Sequence, residues 1–268
     1  VKMKNHDSAM AIHISNLSYR YGNQAVLEHI DVDIAAGRFT VVLGKNGCGK
    51  STLFRLIAGF LKSNDGEISL FGRSIATFSD RERARILGFL PQHHRPVFPF
   101  TVLDVVLTGR AGHVQFTPKE EDRLLAHQAL VRIGITALER RLFTELSGGE
   151  QQLVMLARIL AQKPQIILLD EPISHLDFAY QAKVMNIIGE LVRENITVVA
   201  ILHDPNIAAL YGDDFLCLKD GRLIDGYDRR QLPSEVLEKV YGIKLTVIQF
   251  AEKNLVMPTR KVDHAVDD

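Results

Sequence analysis

Cysteine is scarce: Cys48 and Cys217 are the only two in 268 residues, which excludes a disulfide-stapled scaffold and suits a reducing compartment better than secretion. Long apolar runs are missing too. Ile166 to Leu169 and Ile196 to Leu202 are among the longest, far short of the roughly 20 residues that cross a bilayer as a helix, so no spanning helix is expected. Neither sign of charge dominates, with 32 basic and 32 acidic residues, and no overall field draws the chain to nucleic acid or to an anionic membrane surface. No internal repeat is visible. Val1 to Met10 is mixed and polar without the apolar centre of a signal peptide, and Met10 is expected to lie nearer the natural start than Val1.

What is present is a regular alternation of strand and helix signals in a length that suffices for one large domain or two small ones. Ile12 to Tyr19 and Val26 to Ile34 read as antiparallel strands around the turn-forming Tyr21-Gly22-Asn23. Phe39 to Leu43 is a third strand and runs straight into a glycine-rich turn and the helical pattern of Ser51 to Phe60. Strand signals at Glu67 to Phe71 and Ile86 to Leu90 flank a polar helix around Asp80 to Arg85. From Gln92 to about Arg141 the character changes. Prolines stand at 96, 99 and 118, and helices are predicted at Val102 to Thr108 and Pro118 to Ile133, forming an inserted helical subdomain.

Further on, Glu150 to Gln162 sets Leu153, Leu156, Ala157 and Leu160 on one helical stripe. The apolar runs Ile166 to Leu169 and Ile196 to Leu202 suit a parallel sheet buried on both faces, with a helix from Phe178 to Arg193 between them. Phe215 to Leu218 and Arg222 to Tyr227 read as strands, Pro233 to Val240 as a helix and Leu245 to Phe250 as a last strand. Met257 to Asp268 reads as a loose tail. The whole is an α/β sheet covered on both faces.

Gly44-Lys45-Asn46-Gly47-Cys48-Gly49-Lys50-Ser51-Thr52 matches the phosphate loop and stands where it should, between a strand and a helix. Glycines let the backbone curl so that successive N–H groups face phosphate oxygens, and the helix beginning near Lys50 adds its own N–H groups and positive dipole end. Nucleotide β- and γ-phosphates are expected there, with Lys50 as the cation, Ser51 as a hydroxyl ligand to Mg²⁺ and Thr52 steadying the first turn. Ile166-Ile167-Leu168-Leu169-Asp170-Glu171 is the companion motif, an apolar strand ending in two carboxylates at the edge where open α/β sheets collect ligands. Asp170 is expected to hold Mg²⁺ through a water and Glu171 to polarise the attacking water. The plainer alternative is that the two carboxylates only cap the next helix.

Leu146-Ser147-Gly148-Gly149-Glu150-Gln151-Gln152 resembles the signature sequence of ATP-binding-cassette (ABC) proteins, and Glu150 stands 21 residues before Glu171 as in that family. The resemblance spans Ile12 to about Phe250. It implies a P-loop NTPase core with an antiparallel β subdomain and an inserted α-helical subdomain. The nucleotide-binding domain covers residues 11–250, the insertion 92–162 including the signature helix, and the tail 251–268. Ser147, Gly148 and Gly149 open a helix and form a second surface of donors. The family arrangement implied is a head-to-tail dimer in which each ATP lies between Lys50 of one copy and Ser147 of the other.

Other positions follow from the same resemblance. Tyr21, 29 residues before Lys50, is similar to the aromatic that stacks on adenine, with Tyr19 as the substitute. Gln92 resembles the glutamine that reaches Mg²⁺ and the attacking water. Asp177 resembles the residue that reads the opposing copy, its plain alternative being a helix cap. His203 resembles the switch histidine that contacts the γ-phosphate and orients Glu171. Ile173 and His175 depart from the more frequent Thr and Ala without removing a group the chemistry needs.

A nucleotide-binding domain without a spanning helix implies two separate membrane permease subunits, gripped from the cytoplasmic face of the inner membrane, and indirectly a substrate-binding protein. His93 to Phe100 is the expected groove for a coupling helix, and His93 with His94 reads as polar loop against the alternative of a metal site. The segments Ile75 to Gln92, Val102 to Val106, Thr108 to Arg110 and Ser174 to Asp177 resemble importers of iron–siderophore, haem, cobalamin or oxyanions such as molybdate. The competing readings are an exporter ATPase subunit and a soluble family member that remodels a ribosomal or nucleic-acid complex. Exporters of the family usually fuse the domain to membrane helices in one chain, and the soluble members usually carry two cassettes or long coiled-coil insertions; no nucleic-acid partner is expected.

Overall fold

The computed structural model describes residues 9–92, 99–224, 227–228, 230–250 and 253–259. The chain opens with β1 (Met10–Tyr21) and β2 (Gln24–Ala35), an antiparallel hairpin turned at Gly22. Gly22 adopts φ 57°, the left-handed conformation that a side chain disfavours. β3 (Phe39–Leu43) and α1 (Lys50–Ile57) follow, then β4 (Asp65–Leu70), β5 (Arg73–Ser74), α2 (Asp80–Ile86) and β6 (Leu87–Leu90). Next come α3 (Val102–Leu107), α4 (Glu120–Ile133), α5 (Gly148–Ala161), β7 (Ile166–Asp170), α6 (Phe178–Arg193) and β8 (Thr197–Ile201). The last elements are α7 (Pro205–Tyr211), β9 (Asp214–Lys219), β10 (Arg222–Leu223), α8 (Ser234–Tyr241), β11 (Leu245–Phe250) and β12 (Lys253–Pro258).

Two sheets carry the architecture. One is antiparallel with strand order β2-β1-β4-β5, and the other runs β10-β9-β3-β8-β7-β6 with parallel pairing from β9 through to β6. In β7 every residue is buried; Ile167 and Leu169 join one core, Ile166 and Leu168 the other. That two-sided burial is why the strand reads as an unbroken apolar run rather than an alternation. On one face β1, β2 and α1 close the second core, while on the other α3, α4, α5 and α6 close the first. The three parallel strands that carry chemistry at their ends, β3, β7 and β8, are neighbours and all end on the same edge.

Boundaries shift where local chemistry overrides the sequence pattern. Ile86 ends α2 rather than opening the strand: the Ser79–Glu82 capping box starts the helix, and its last turn closes only where the Leu87 N–H donates to the Arg83 carbonyl. α4 begins at Glu120 and not at Pro118, with the Lys119 N–H donating to Asp122 at 3.0 Å. The stretch assigned to a tail over 251–268 contains β12, which pairs with β11 from Leu245↔Pro258 to Phe250↔Lys253. A strand recruited by its partner leaves no periodicity of its own. The expected coupling groove, with His93 and His94, lies almost wholly outside the described residues. Among the described residues no helix is long and apolar enough to cross a membrane.

α3, α4 and α5 pack on one another around a buried ion pair, Arg110 Nε to Asp122 Oδ1 at 3.0 Å, and Arg110 also donates to the Ala161 carbonyl at 2.9 Å. The Lys119 N–H and then the Arg110 guanidinium hold the Asp122 carboxyl below the ordinary aspartate value. Asp122→Asn keeps the shape and removes the charge, and is expected to cost about 2 kcal/mol in urea unfolding at neutral pH. A carboxyl depressed in the folded state stabilises above its unfolded pKa and loses that contribution as pH falls through the folded value. The gap between parent and variant therefore narrows only below about pH 4.

Candidate functional site

The site is built on the turn between β3 and α1. Gly47 and Gly49 take φ 78° and 108°, so neither accepts a side chain without strain. A Cβ at Gly49 would also lie 2.7 Å from Leu27 Cδ2, and one at Gly44 would lie 2.5 Å from the Leu218 carbonyl oxygen. The loop is thus pressed against β2 on one side and β9 on the other. Lys50 is buried, and its Nζ donates to the carbonyls of Gly44 at 2.8 Å and Lys45 at 2.9 Å. The ammonium lies under the loop that curls over it, and the free N–H groups of α1 begin at the same point.

From the tips of β7 and β8 come the acidic and imidazole groups. Ser51 Oγ donates to Asp170 Oδ1 at 3.2 Å. Burial pushes the Asp170 carboxyl up, with the Ser51 hydrogen bond acting in the opposite direction. A buried carboxylate beside a hydroxyl is a hard-oxygen pair that suits a small divalent cation, which would stabilise the charged form that burial disfavours. Glu171 takes φ 55°, the left-handed region, where backbone strain in a non-glycine residue marks a position held by its surroundings. His203 Nε2 lies 2.6 Å from Glu171 Oε1, and Ser174 Oγ donates to Glu171 Oε2 at 3.0 Å. Burial acts to raise the Glu171 carboxyl, but hydrogen bonds from His203, Ser174 and Gln92 outweigh it and hold the group below the ordinary glutamate value. It is a carboxylate at neutral pH.

These groups face one cleft of about 670 Å³ lined by Val26, Asn46, Gly47, Gly49, Lys50, Ser51, Thr52, Gln92, Glu171, Ser174, His175 and His203. Nine of the lining residues are expected from sequence. Val26, Ser174 and His175 are additions: Val26 carries no local signal, whereas Ser174 and His175 sit within four residues of Glu171 on the turn its left-handed backbone creates. Gly44 and Cys48 belong to the loop without lining the cleft, and Asp170 is reached through Ser51.

Tyr21, Ser147, Gly148, Gly149 and Asp177 do not line it. Tyr21 is half-exposed and meets the buried Tyr19 edge to face at 4.9 Å. Asp177 Oδ1 accepts the Tyr180 N–H at 2.9 Å and caps α6. Ser147 caps α5 in a box with Glu150, whose carboxylate accepts the Ser147 N–H at 2.8 Å and hydroxyl at 3.0 Å. Gly149 packs under Tyr180, whose ring would lie 2.7 Å from a Cβ there. The start of α5 is exposed at Ser147 and Gly148 and lies outside the chain's own cleft, so it is a helix N-terminus open to solvent.

Known proteins share this layout. Residues 27–174 match the family described as ABC transporter. The chain is 36% identical over 253 residues to the petrobactin import ATP-binding protein FpuC of Bacillus anthracis, covering 93% of each chain. It is 39% identical over 239 residues to the hemin import ATP-binding protein HmuV of Vibrio parahaemolyticus, covering 87% of this chain and 91% of that one. Among solved structures it matches an inward-facing ABC transporter of metal-chelate type at a TM-score of 0.82 and 33% identity, covering 94% of this chain and 98% of the other. It also matches a dimeric bacterial ABC transporter cassette at a TM-score of 0.73 and 29% identity, covering 82% and 100%.

Proposed function

This chain belongs to the ABC transporter family of ATPases, and from that premise we propose that it powers uptake of a metal chelate, an iron–siderophore or haem, through separate membrane permease subunits. Relatives named for petrobactin and hemin import cover nearly the full length of this chain, and this supports an importer over the exporter and ribosomal readings. Import ATP-binding subunits of this kind are membrane-associated, dimerise and work with permeases. The cytoplasmic face of the inner membrane, two permease subunits and a head-to-tail pair of identical copies are the particulars proposed for this one, with residues 11–250 as its nucleotide-binding domain and 92–162 as the helical insertion.

The observation that carries the hydrolytic role is the Glu171–His203 contact at 2.6 Å on the wall of a cleft whose floor is the phosphate loop. In the proposed mechanism the loop N–H groups and Lys50 bind the β- and γ-phosphates, and the lysine charge offsets the negative charge that develops there. Glu171 accepts the proton of the attacking water, with His203 and Ser174 holding its two oxygens so that one lone pair stays directed into the cleft. Gln92, within hydrogen-bonding reach of Glu171, orients the same water. Tyr21 stacks on the adenine, and Ser147, Gly148, Gly149 and Asp177 act from the second copy. Ser51, Asp170 and Gln92 would hold Mg²⁺, which when bound supplies charge neutralisation on the phosphate oxygens.

Reconstitution tests the transport reading. With its permease and a substrate-binding protein in lipid vesicles, ATP hydrolysis is expected to rise about 5-fold, the ~1 kcal/mol at the low end of a typical site-to-site coupling, when the binding protein carries a ferric siderophore or haem. Stimulation by single-stranded or ribosomal RNA instead, with no response to any chelate or oxyanion, would overturn it.

A further inference from the structure

His203 stands at the seam between β8 and α7, and the groups behind it come from the C-terminal end of the chain. Asp204 caps α7, accepting the N–H groups of Asn206 at 2.7 Å and Ile207 at 3.4 Å. Asn206 then uses both ends of its amide on a single residue of β12. Its Nδ2 donates to the Val256 carbonyl at 3.0 Å, and its Oδ1 accepts the Val256 N–H at 2.7 Å. The pair reproduces the two-way exchange of an antiparallel ladder, with a side chain in place of a strand.

A second tie lies at the end of α8. The Tyr241 hydroxyl donates to the His203 carbonyl at 3.4 Å, and Gly242 closes the helix in a left-handed turn at φ 68°. A Cβ at Gly242 would lie 3.2 Å from Lys45 Nζ, so this helix end abuts the phosphate loop as well as the histidine. α7 is seven residues long, too short to hold its own orientation, since isolated helices below about 12 residues are marginal. Its rotation about its axis is set by what it is tied to. An amide making two opposed hydrogen bonds fixes rotation and translation together, whereas apolar packing alone tolerates sliding.

We propose that Asn206 and Tyr241 are positioning residues: they tie the hairpin and helix at the C-terminal end of the described chain to α7 and to the His203 carbonyl just before it, and so set the imidazole against Glu171. This rests on reading His203 as the group that orients the general base. It makes α8 and β12 part of the hydrolytic machinery, and it names a route by which displacement of β12 slows hydrolysis while nucleotide still binds.

The test is steady-state ATP hydrolysis by the full chain carrying Asn206→Ala, Tyr241→Phe, His203→Ala or the pairwise combinations, with ATP affinity and Tm measured alongside. Asn206→Ala is expected to lower kcat about tenfold, the scale of a sub-ångström misplacement, with KM for ATP within about twofold. Tyr241→Phe removes one oxygen and keeps the fold; a loss of about threefold in kcat is expected from its longer hydrogen bond. In the His203→Ala background neither change is expected to lower kcat further, because groups acting through one residue are not additive. Unchanged kcat in both single variants would overturn the proposal, as would equal losses with and without His203. A loss that appears only as raised KM with lowered Tm would overturn it too. Full activity of His203→Ala alone is a separate outcome, which removes the reading of His203 and the proposal with it.

Discussion

Glu171→Gln is expected to slow phosphate release by about 10²–10⁴-fold, the range over which a positioned general base contributes, while leaving ATP affinity within about twofold. The substitution keeps the volume and one acceptor oxygen but withdraws the only carboxylate that lines the cleft among the described residues, the one that His203 and Ser174 hold. At neutral pH the parent group is ionised, since the hydrogen bonds from His203, Ser174 and Gln92 overcome the effect of burial and hold it below the ordinary glutamate value. A carboxyl with a lowered pKa loses its charge only as pH falls through that lowered value, so the parent is expected to retain its base down to mildly acidic pH. If two copies enclose the nucleotide, blocking hydrolysis leaves ATP in place and the pair stays closed. Light scattering of the variant with ATP is then expected to report a dimer that disperses when ATP is removed. A variant that binds ATP and remains monomeric would sink the shared-nucleotide arrangement.

Mixing two inactive chains is expected to restore activity. Lys50→Ala removes the cation beneath the phosphate loop, and Ser147→Arg fills the exposed start of α5; each alone is expected to lose nearly all hydrolysis. In a head-to-tail pair each site takes its lysine from one copy and its serine from the other. A mixed pair therefore has one site lacking both groups and one site intact. Random exchange makes half the pairs mixed, and with one working site in two the mixture is expected to recover roughly a quarter of the parent rate. Ser147 also caps α5, so Ser147→Arg costs about 1 kcal/mol of stability whatever the assembly, and Tm measured in parallel separates that loss from the loss of hydrolysis. An equimolar mixture that remained inactive, although the two chains exchange, would mean that each nucleotide is served by a single chain.

The phosphate loop is legible in the sequence because its function and its backbone impose the same residues. Positive φ at Gly47 and Gly49 strains any side chain, and close approach at Gly44 and Gly49 leaves no room for one, and the lysine and serine must follow at fixed offsets to start a helix there. Asp170 and Glu171 are legible for a similar reason, since a strand buried on both faces must be apolar until it reaches the edge where charge can be solvated or paired. Ser174 was reachable from its offset to Glu171, but only the left-handed backbone at Glu171 turns that offset into a hydrogen bond. The Ser147–Glu150 capping box is spelled by a Ser-x-x-Glu spacing, and the structure gives these residues that local role at a helix start exposed to solvent. Asp177 likewise takes the plainer of its two readings within the single chain, a helix cap.

Local constraints are what sequence alone determines in this protein: the glycine turn, the caps, the apolar strands, and the order in which the motifs occur. Each involves residues near one another along the chain or a burial pattern with its own period. Tertiary structure decides the rest: that β3, β7 and β8 lie side by side, so that Lys50, Glu171 and His203 meet at one cleft, and that β12 returns to hold α7 through Asn206. Those contacts join residues dozens to more than a hundred positions apart. Hydrogen bonds of that span leave no periodicity, because either partner by itself satisfies every local rule as an ordinary polar side chain or backbone group.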